Sequence, residues 1–178
     1  ASDAYAEYRD AAFLERIGCA HLDAALKDFW PARGPQWDAL GLTDGGPVLV
    51  EAKAHLPEFL SPPSKASPAS RAKIDAAFAE LRADLGARTG TDWAEVFFQY
   101  ANRLAHLWFL RQHGIAADLV FVSFLGDDEM GGPADAAVWR TAFAAADYAL
   151  GLPRKHALSD HVHHVFPDTR LLADVAAC

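Results

Sequence analysis

Hydrophobic and polar positions follow two rhythms along this chain, and they divide it into helices and strands. Residues 3–29 place Phe13, Ile17, Ala20 and Ala24 on one face of a helical period, with Asp3 as a cap, and predict a helix. Trp30-Pro31 ends it, because the residue before a proline avoids helical dihedrals, and Arg33-Gly34-Pro35 reads as a turn. Two strands follow at 36–42 and 47–54, joined by the hairpin-type signal Thr43-Asp44-Gly45-Gly46. Residues 56–70, LPEFLSPPSKASPAS, are rich in Pro and Ser and predict a long loop. Ser70 then caps a helix over 71–85 with Ile74, Phe78, Leu81 and Leu85 as its stripe, and Gly86 stops it. A longer helix over 92–113 ends at Gly114, and Ala117–Leu125 reads as a buried strand. Residues 134–150 predict a helix ending at Gly151-Leu152-Pro153, and 161–166 a short closing strand. The chain shows no internal repeat, and its 178 residues fit one domain with a substantial core. The expected fold is one mixed α/β (α+β) domain over 1–178, a small central mixed sheet flanked by helices.

One strand breaks its own pattern. Val48-Leu49-Val50 runs straight into Glu51-Ala52-Lys53, and an unpaired buried charge is expensive. Glu51 and Lys53 share a face, because strand side chains alternate. Asp38 lies on the preceding strand, near a position facing Glu51 if the hairpin register is simple. Two carboxylates converging at a sheet rim, with the Ala52 carbonyl as a further ligand, form a hard oxygen site suited to Mg²⁺ or Mn²⁺. Lys53 beside them can orient water or stabilise developing negative charge. Taken alone, the Glu-x-Lys reads first as a surface ion pair, which is common and weak.

The helix over 92–113 adds to the picture. On a helical wheel Glu95, Gln99, Asn102, Arg103 and His106 share a face, among Phe97, Phe98, Leu104, Leu107, Trp108 and Phe109. The stripe is either a buried polar row that needs partners or the solvent face of an amphipathic helix.

The net charge of −8 opposes nonspecific nucleic-acid binding over the whole surface, though an acidic protein can still carry a locally positive cleft. No apolar run reaches membrane-span length, and no secretory pattern opens the chain. Cys19 and Cys178 read as free thiols of a reducing compartment, so the expected location is cytoplasmic.

Asp38…Glu51-Ala52-Lys53, together with the order of elements, resembles the PD-(D/E)XK nuclease superfamily. The resemblance implies a restriction endonuclease-like αβββαβ core and Mg²⁺- or Mn²⁺-dependent cleavage of nucleic acid. Carried over, Asp38 and Glu51 bind the metal and Lys53 is catalytic. Gln99 matches the glutamine that some members add on a following helix. Two positions depart from the pattern. Trp37 precedes Asp38, with the proline displaced to Pro35, and Arg103 stands where RecB-like members carry a tyrosine four residues after the glutamine. The phrases FWPARGPQWDAL, EAKAH, FFQYANRLAHLWFL and GLPRKHALSDHVHHVF are also similar to a family of uncharacterised bacterial proteins.

Other candidates surround this set. Gln99 with Arg103 is expected to orient the site or its phosphate, and Asn102 to contact substrate. Ser64, Lys65 and Ser67 follow the Glu-x-Lys strand and can meet phosphate through hydroxyls and an ammonium, or simply form a surface loop. Glu7 and Glu15 are available for the first-helix glutamate of some superfamily members, or for solvent. His55 is a possible base or ligand. His161, His163 and His164 lack zinc-site spacing and a Cys partner. There is no Gly-rich phosphate loop and no G-x-S-x-G elbow. The expected function is metal-dependent phosphodiester hydrolysis. The alternatives are an inactive nucleic-acid- or protein-binding module on the same fold, or a scaffold in which Glu51 and Lys53 are only a salt bridge.

Overall fold

The computed structural model describes residues 8–88 and 90–171. At its centre is a four-stranded sheet of β1 (Ala39–Thr43), β2 (Gly46–Lys53), β3 (Asp118–Ser123) and β4 (Val162–Val165), in that spatial order. The β1–β2 pair is antiparallel, and β2–β3 and β3–β4 are parallel. The mixed sheet with flanking helices is therefore present. The hairpin forms where the sequence predicts it, with Asp44-Gly45 as a two-residue turn between the paired Thr43 and Gly46. Gly46 has φ 131°, and a Cβ there would lie 2.2 Å from the Ala116 carbonyl oxygen, so only glycine lets β2 start beside β3.

The helices are α1 (Asp10–Arg16), α2 (Asp23–Phe29), α3 (Leu56–Phe59), α4 (Pro68–Leu85), α5 (Phe98–Gln112) and α6 (Ala136–Ala149). The single helix expected over 3–29 is broken. Gly18 adopts φ 75°, its N–H donates to Glu15 O (3.1 Å), and Cys19 N–H donates to Leu14 O (2.7 Å). This is the left-handed helix stop that glycine favours. The expected face breaks with it: Phe13 and Ile17 are buried, whereas Ala20 and Ala24 are exposed. The cap at Asp3 lies outside the described residues.

The Pro/Ser loop is also shorter than expected. His55 Nδ1 accepts the Glu58 N–H (3.1 Å) and caps α3. Ser67, not Ser70, caps α4, with Pro68 in the first turn where its missing N–H costs nothing. The helix expected from 92 starts only at Phe98. Asp92 Oδ1 accepts the Ala94 N–H (2.9 Å) and folds the preceding residues into turns. Arg71 holds that segment by pairing with Asp75, Asp92 and Glu95.

On β2 the buried face carries Leu49, Glu51 and Lys53. Tyr100 of α5 and Phe143 of α6 both lie 5.2 Å from Phe121 of β3, so these two helices cover that face. Every residue of α5 from Tyr100 to Leu110 is buried, so its polar stripe is not a solvent face. No helix among the described residues is long and apolar enough to cross a membrane.

Candidate active site

The end of β2, the first turns of α5 and the segments 30–36 and 61–67 enclose a cleft of about 850 Å³. It is lined by Asp38, Glu51, Lys53, Gln99, Asn102, Arg103, Lys65 and Ser67, so it gathers the candidate site side chains proposed from the sequence. They come from one strand rim, one buried helix and one loop, which no local pattern joins.

Glu51 is the hub, at 2% exposure. Its Oε1 pairs with Lys53 Nζ at 2.7 Å and its Oε2 accepts from Arg103 Nε at 2.6 Å. The charges that end β2 are therefore buried and paired, as the cost of an isolated buried carboxylate requires. Arg103 has further partners. Nη1 donates to Asn102 Oδ1 (2.8 Å), Nη2 donates to the Gln36 carbonyl (2.9 Å), and the guanidinium lies 5.0 Å over the Trp37 ring. Each of its nitrogens thus serves a protein acceptor, and the side chain clamps Glu51 to the segment before β1.

Asp38 stands just before β1 and is exposed. Its Oδ2 accepts the Ala52 N–H at 2.7 Å, which pins the carboxylate against the edge of β2. In a strand the N–H and C=O of one residue point to the same edge, so the Ala52 carbonyl faces the Asp38 side. Asp38, Glu51 and this carbonyl are the hard oxygen donors that Mg²⁺ or Mn²⁺ takes. Among the described residues no group of three or more His, Cys, Asp and Glu is placed to hold a metal. The protein's share would be two carboxylates, with water and phosphate oxygens supplying the rest, as is usual for Mg²⁺. Glu51 Oε1 is occupied by Lys53, but Lys53 has a second acceptor in Glu58 Oε1 at 3.3 Å. The ammonium can turn to Glu58 and free Glu51 without losing its charge partner. On these grounds the donor set fits a divalent cation.

Glu58 is a site residue that the sequence did not single out. It also accepts the Ala54 N–H through Oε2 (3.2 Å), which fixes it beneath Lys53. The signal was present: a polar residue at 55 followed three positions later by Glu is a capping-box spacing. Ser61 was missed as well. Its Oγ accepts the Gln99 N–H (2.9 Å) and ties the loop to the start of α5. Gln99 reaches both the cleft and a small void of about 10 Å³ behind Glu51, Lys53 and Arg103. Ser64 Oγ accepts from Ala66 N–H (3.3 Å) and Ser67 caps α4, whereas the exposed Lys65 projects from the same loop.

Several candidates lie elsewhere. Glu95 precedes α5 and pairs with Arg71 (2.8 Å). His106, two turns of helix from Gln99, is sealed among Phe13, Phe29, Trp30 and Trp37. Burial pulls its pKa down to about 4, with the neighbouring Arg103 charge pushing the same way against a hydrogen bond to the Asn102 carbonyl. Glu15 is exposed on α1, outside the cleft lining, and Glu7 lies outside the described residues. His55 serves as the α3 cap. His161 Nδ1 and His163 Nε2 lie 3.1 and 3.6 Å from Asp118 Oδ1 at the far edge of the sheet.

Comparison of the chain with protein-family models, with curated proteins and with solved structures finds no match in any of the three. The functional reading therefore rests on the residues and their geometry.

Proposed function

We propose that the protein is a metal-dependent phosphodiester hydrolase acting on nucleic acid, built on a PD-(D/E)XK-like site. The observation that carries this reading is the convergence of Asp38, Glu51 and Lys53 in one cleft, with the carboxylates held from behind by Ala52 N–H and Arg103. Asp38, Glu51 and the Ala52 carbonyl would hold Mg²⁺ or Mn²⁺. When bound, such a cation polarises a phosphoryl oxygen and acidifies water. Lys53 places a positive charge beside Glu51, where it can orient the attacking water or stabilise the charge that develops on phosphate. Glu58 keeps that ammonium in place, and Gln99 lies within reach to position water or phosphate.

The test is hydrolysis of labelled single- and double-stranded DNA and RNA with Mg²⁺ or Mn²⁺, alongside Mn²⁺ titration of wild type and Asp38→Asn. Mn²⁺ binding should weaken in Asp38→Asn, and Lys53→Met should lower the cleavage rate about 100-fold or more, the scale of losing one transition-state charge partner. Equal, negligible Mn²⁺ binding in both proteins would sink the metal assignment. One observation favours the second reading, a non-catalytic binding module on this fold: both Glu51 oxygens are already neutralised by cations. That reading gains if wild type cuts nothing, or if Lys53→Met cuts as well as wild type.

A further inference from the structure

We infer that the substrate of this cleft is a single strand of nucleic acid, entered a few nucleotides at a time, and not a duplex lying across the surface. The inference rests on the proposed hydrolase reading for its site and adds the form of the substrate. A volume of about 850 Å³ between two loops is that of a ligand pocket, not of an open face following a double helix.

The charges point the same way. The cleft lining contains Arg33, Lys53, Lys65 and Arg103, but Arg103 is committed to Glu51, and Lys53, shared between Glu51 and Glu58, serves the reacting phosphate alone. Arg33 and Lys65 make no ion pair with a described residue, which leaves two cations for phosphates. Asp38 and Glu58, lining the same cleft, repel any phosphate beyond those. A duplex presents one negative charge per ~1.7 Å, and its binders commonly make about 6–10 phosphate contacts. On a chain of net charge −8 two contacts do not hold a duplex.

The remaining walls suit unstacked bases. Phe98, half-buried at the start of α5, and the exposed Pro62 and Pro63 line the same cleft as those cations. An aromatic ring for a base to stack on, in a groove that carries cations, is how single strands are held with little regard for sequence, and Phe98 is that ring here.

The experiment is fluorescence anisotropy on the full chain in EDTA, so that nothing is cut, with a labelled oligothymidylate and a blunt duplex of equal length. The single strand should bind at least tenfold tighter, on the order of the discrimination that base stacking supplies. With two phosphate contacts its affinity should fall only about sevenfold between 50 and 200 mM salt, from a slope near −0.7 per contact. Arg33→Ala with Lys65→Ala should flatten that salt dependence, and Phe98→Ala should cost about tenfold, the scale of losing one stacked base. Arg33 and Lys65 are surface side chains, so their loss leaves folding intact, which circular dichroism checks. Equal or tighter duplex binding, a loss of a thousandfold or more over that salt range, no effect of the double variant, or no binding of either probe overturns the inference. The hydrolase reading is tested separately: a strand bound in EDTA but uncut with Mn²⁺ sinks hydrolysis alone, whereas indifferent cutting of duplex sinks this inference alone.

Discussion

β2 and β4 each run into polar residues where a strand ordinarily stays apolar, and the fold treats them in opposite ways. β2 lies inside the sheet, paired on both sides, and α5 covers the face that carries Glu51 and Lys53. There the charges are 2% and 6% exposed and are organised into a chain from Arg103 through Glu51 and Lys53 to Glu58. β4 is an edge strand whose residues are mostly exposed: His163, and His161 just before the strand, meet only one partly exposed Asp118, and His164 rests against Phe121 and Phe143. Two polar strand ends look alike as letters. What separates them is the layer packed above, because burial converts a weak surface pair into a cluster that must satisfy every member.

The sharpest way to break that comparison is to remove the clamp. Arg103→Met leaves Glu51 buried with half its partners and should cost about 3–5 kcal/mol of stability in urea unfolding, as for other broken buried pairs. Adding Glu51→Gln should recover part of that loss, since no full charge is then stranded. A cost under ~1 kcal/mol would place the Glu51 cluster in the same class as the β4 pairs.

Next in size is pH. His106 is held neutral by burial, with a folded pKa near 4 against an ordinary 6.5. Between those values the unfolded chain binds the extra proton, so stability is full above about pH 6.5 and falls as pH drops toward 4. That difference corresponds to about 3 kcal/mol. His106→Leu should remove that part of the slope in denaturation midpoints measured from pH 7 to 4. A slope unchanged by the substitution would show that His106 is not sealed as its aromatic shell implies.

The smallest effect belongs to β4. Replacing His161 and His163 together with Ala should move stability by no more than about 0.5 kcal/mol, because the pairs are exposed. Binding and cleavage in the cleft should be unchanged. A loss of either would mean that the far edge of the sheet contributes to the site.

Much of the architecture was legible because local chemistry marks it. Asp44-Gly45 sets the hairpin, Gly86 ends α4 at a left-handed residue, and Ile74, Phe78, Leu81 and Leu85 fall on the buried side as their spacing demands. Where expectation failed, a local signal was outweighed or overlooked. Gly18 divides the first helix because its left-handed geometry closes two carbonyls at once. Ser67 takes the cap because Pro68 suits a first helical turn, and Asp92 and Arg71 draw residues 92–97 into turns that delay α5. For the site, the sequence picked out the strand-end charges but not their company. Glu58 comes from the cap of a four-residue helix, and the Gln36 carbonyl meets Arg103 across 67 positions of sequence.

The sequence by itself determined the strands, most helices and the residue types able to do phosphate chemistry, because periodicity, turn residues and side-chain donors are properties of short segments. Only the tertiary structure decided that Glu51 is shared between Lys53 and Arg103, that Asp38 is pinned by Ala52, and that the α5 stripe divides into cleft-facing Gln99 and Asn102 and sealed His106. Those outcomes depend on which surfaces exclude water. That is settled when α5 is buried on all sides, since a charge or imidazole removed from solvent must take its partners from whichever segments the fold brings beside it.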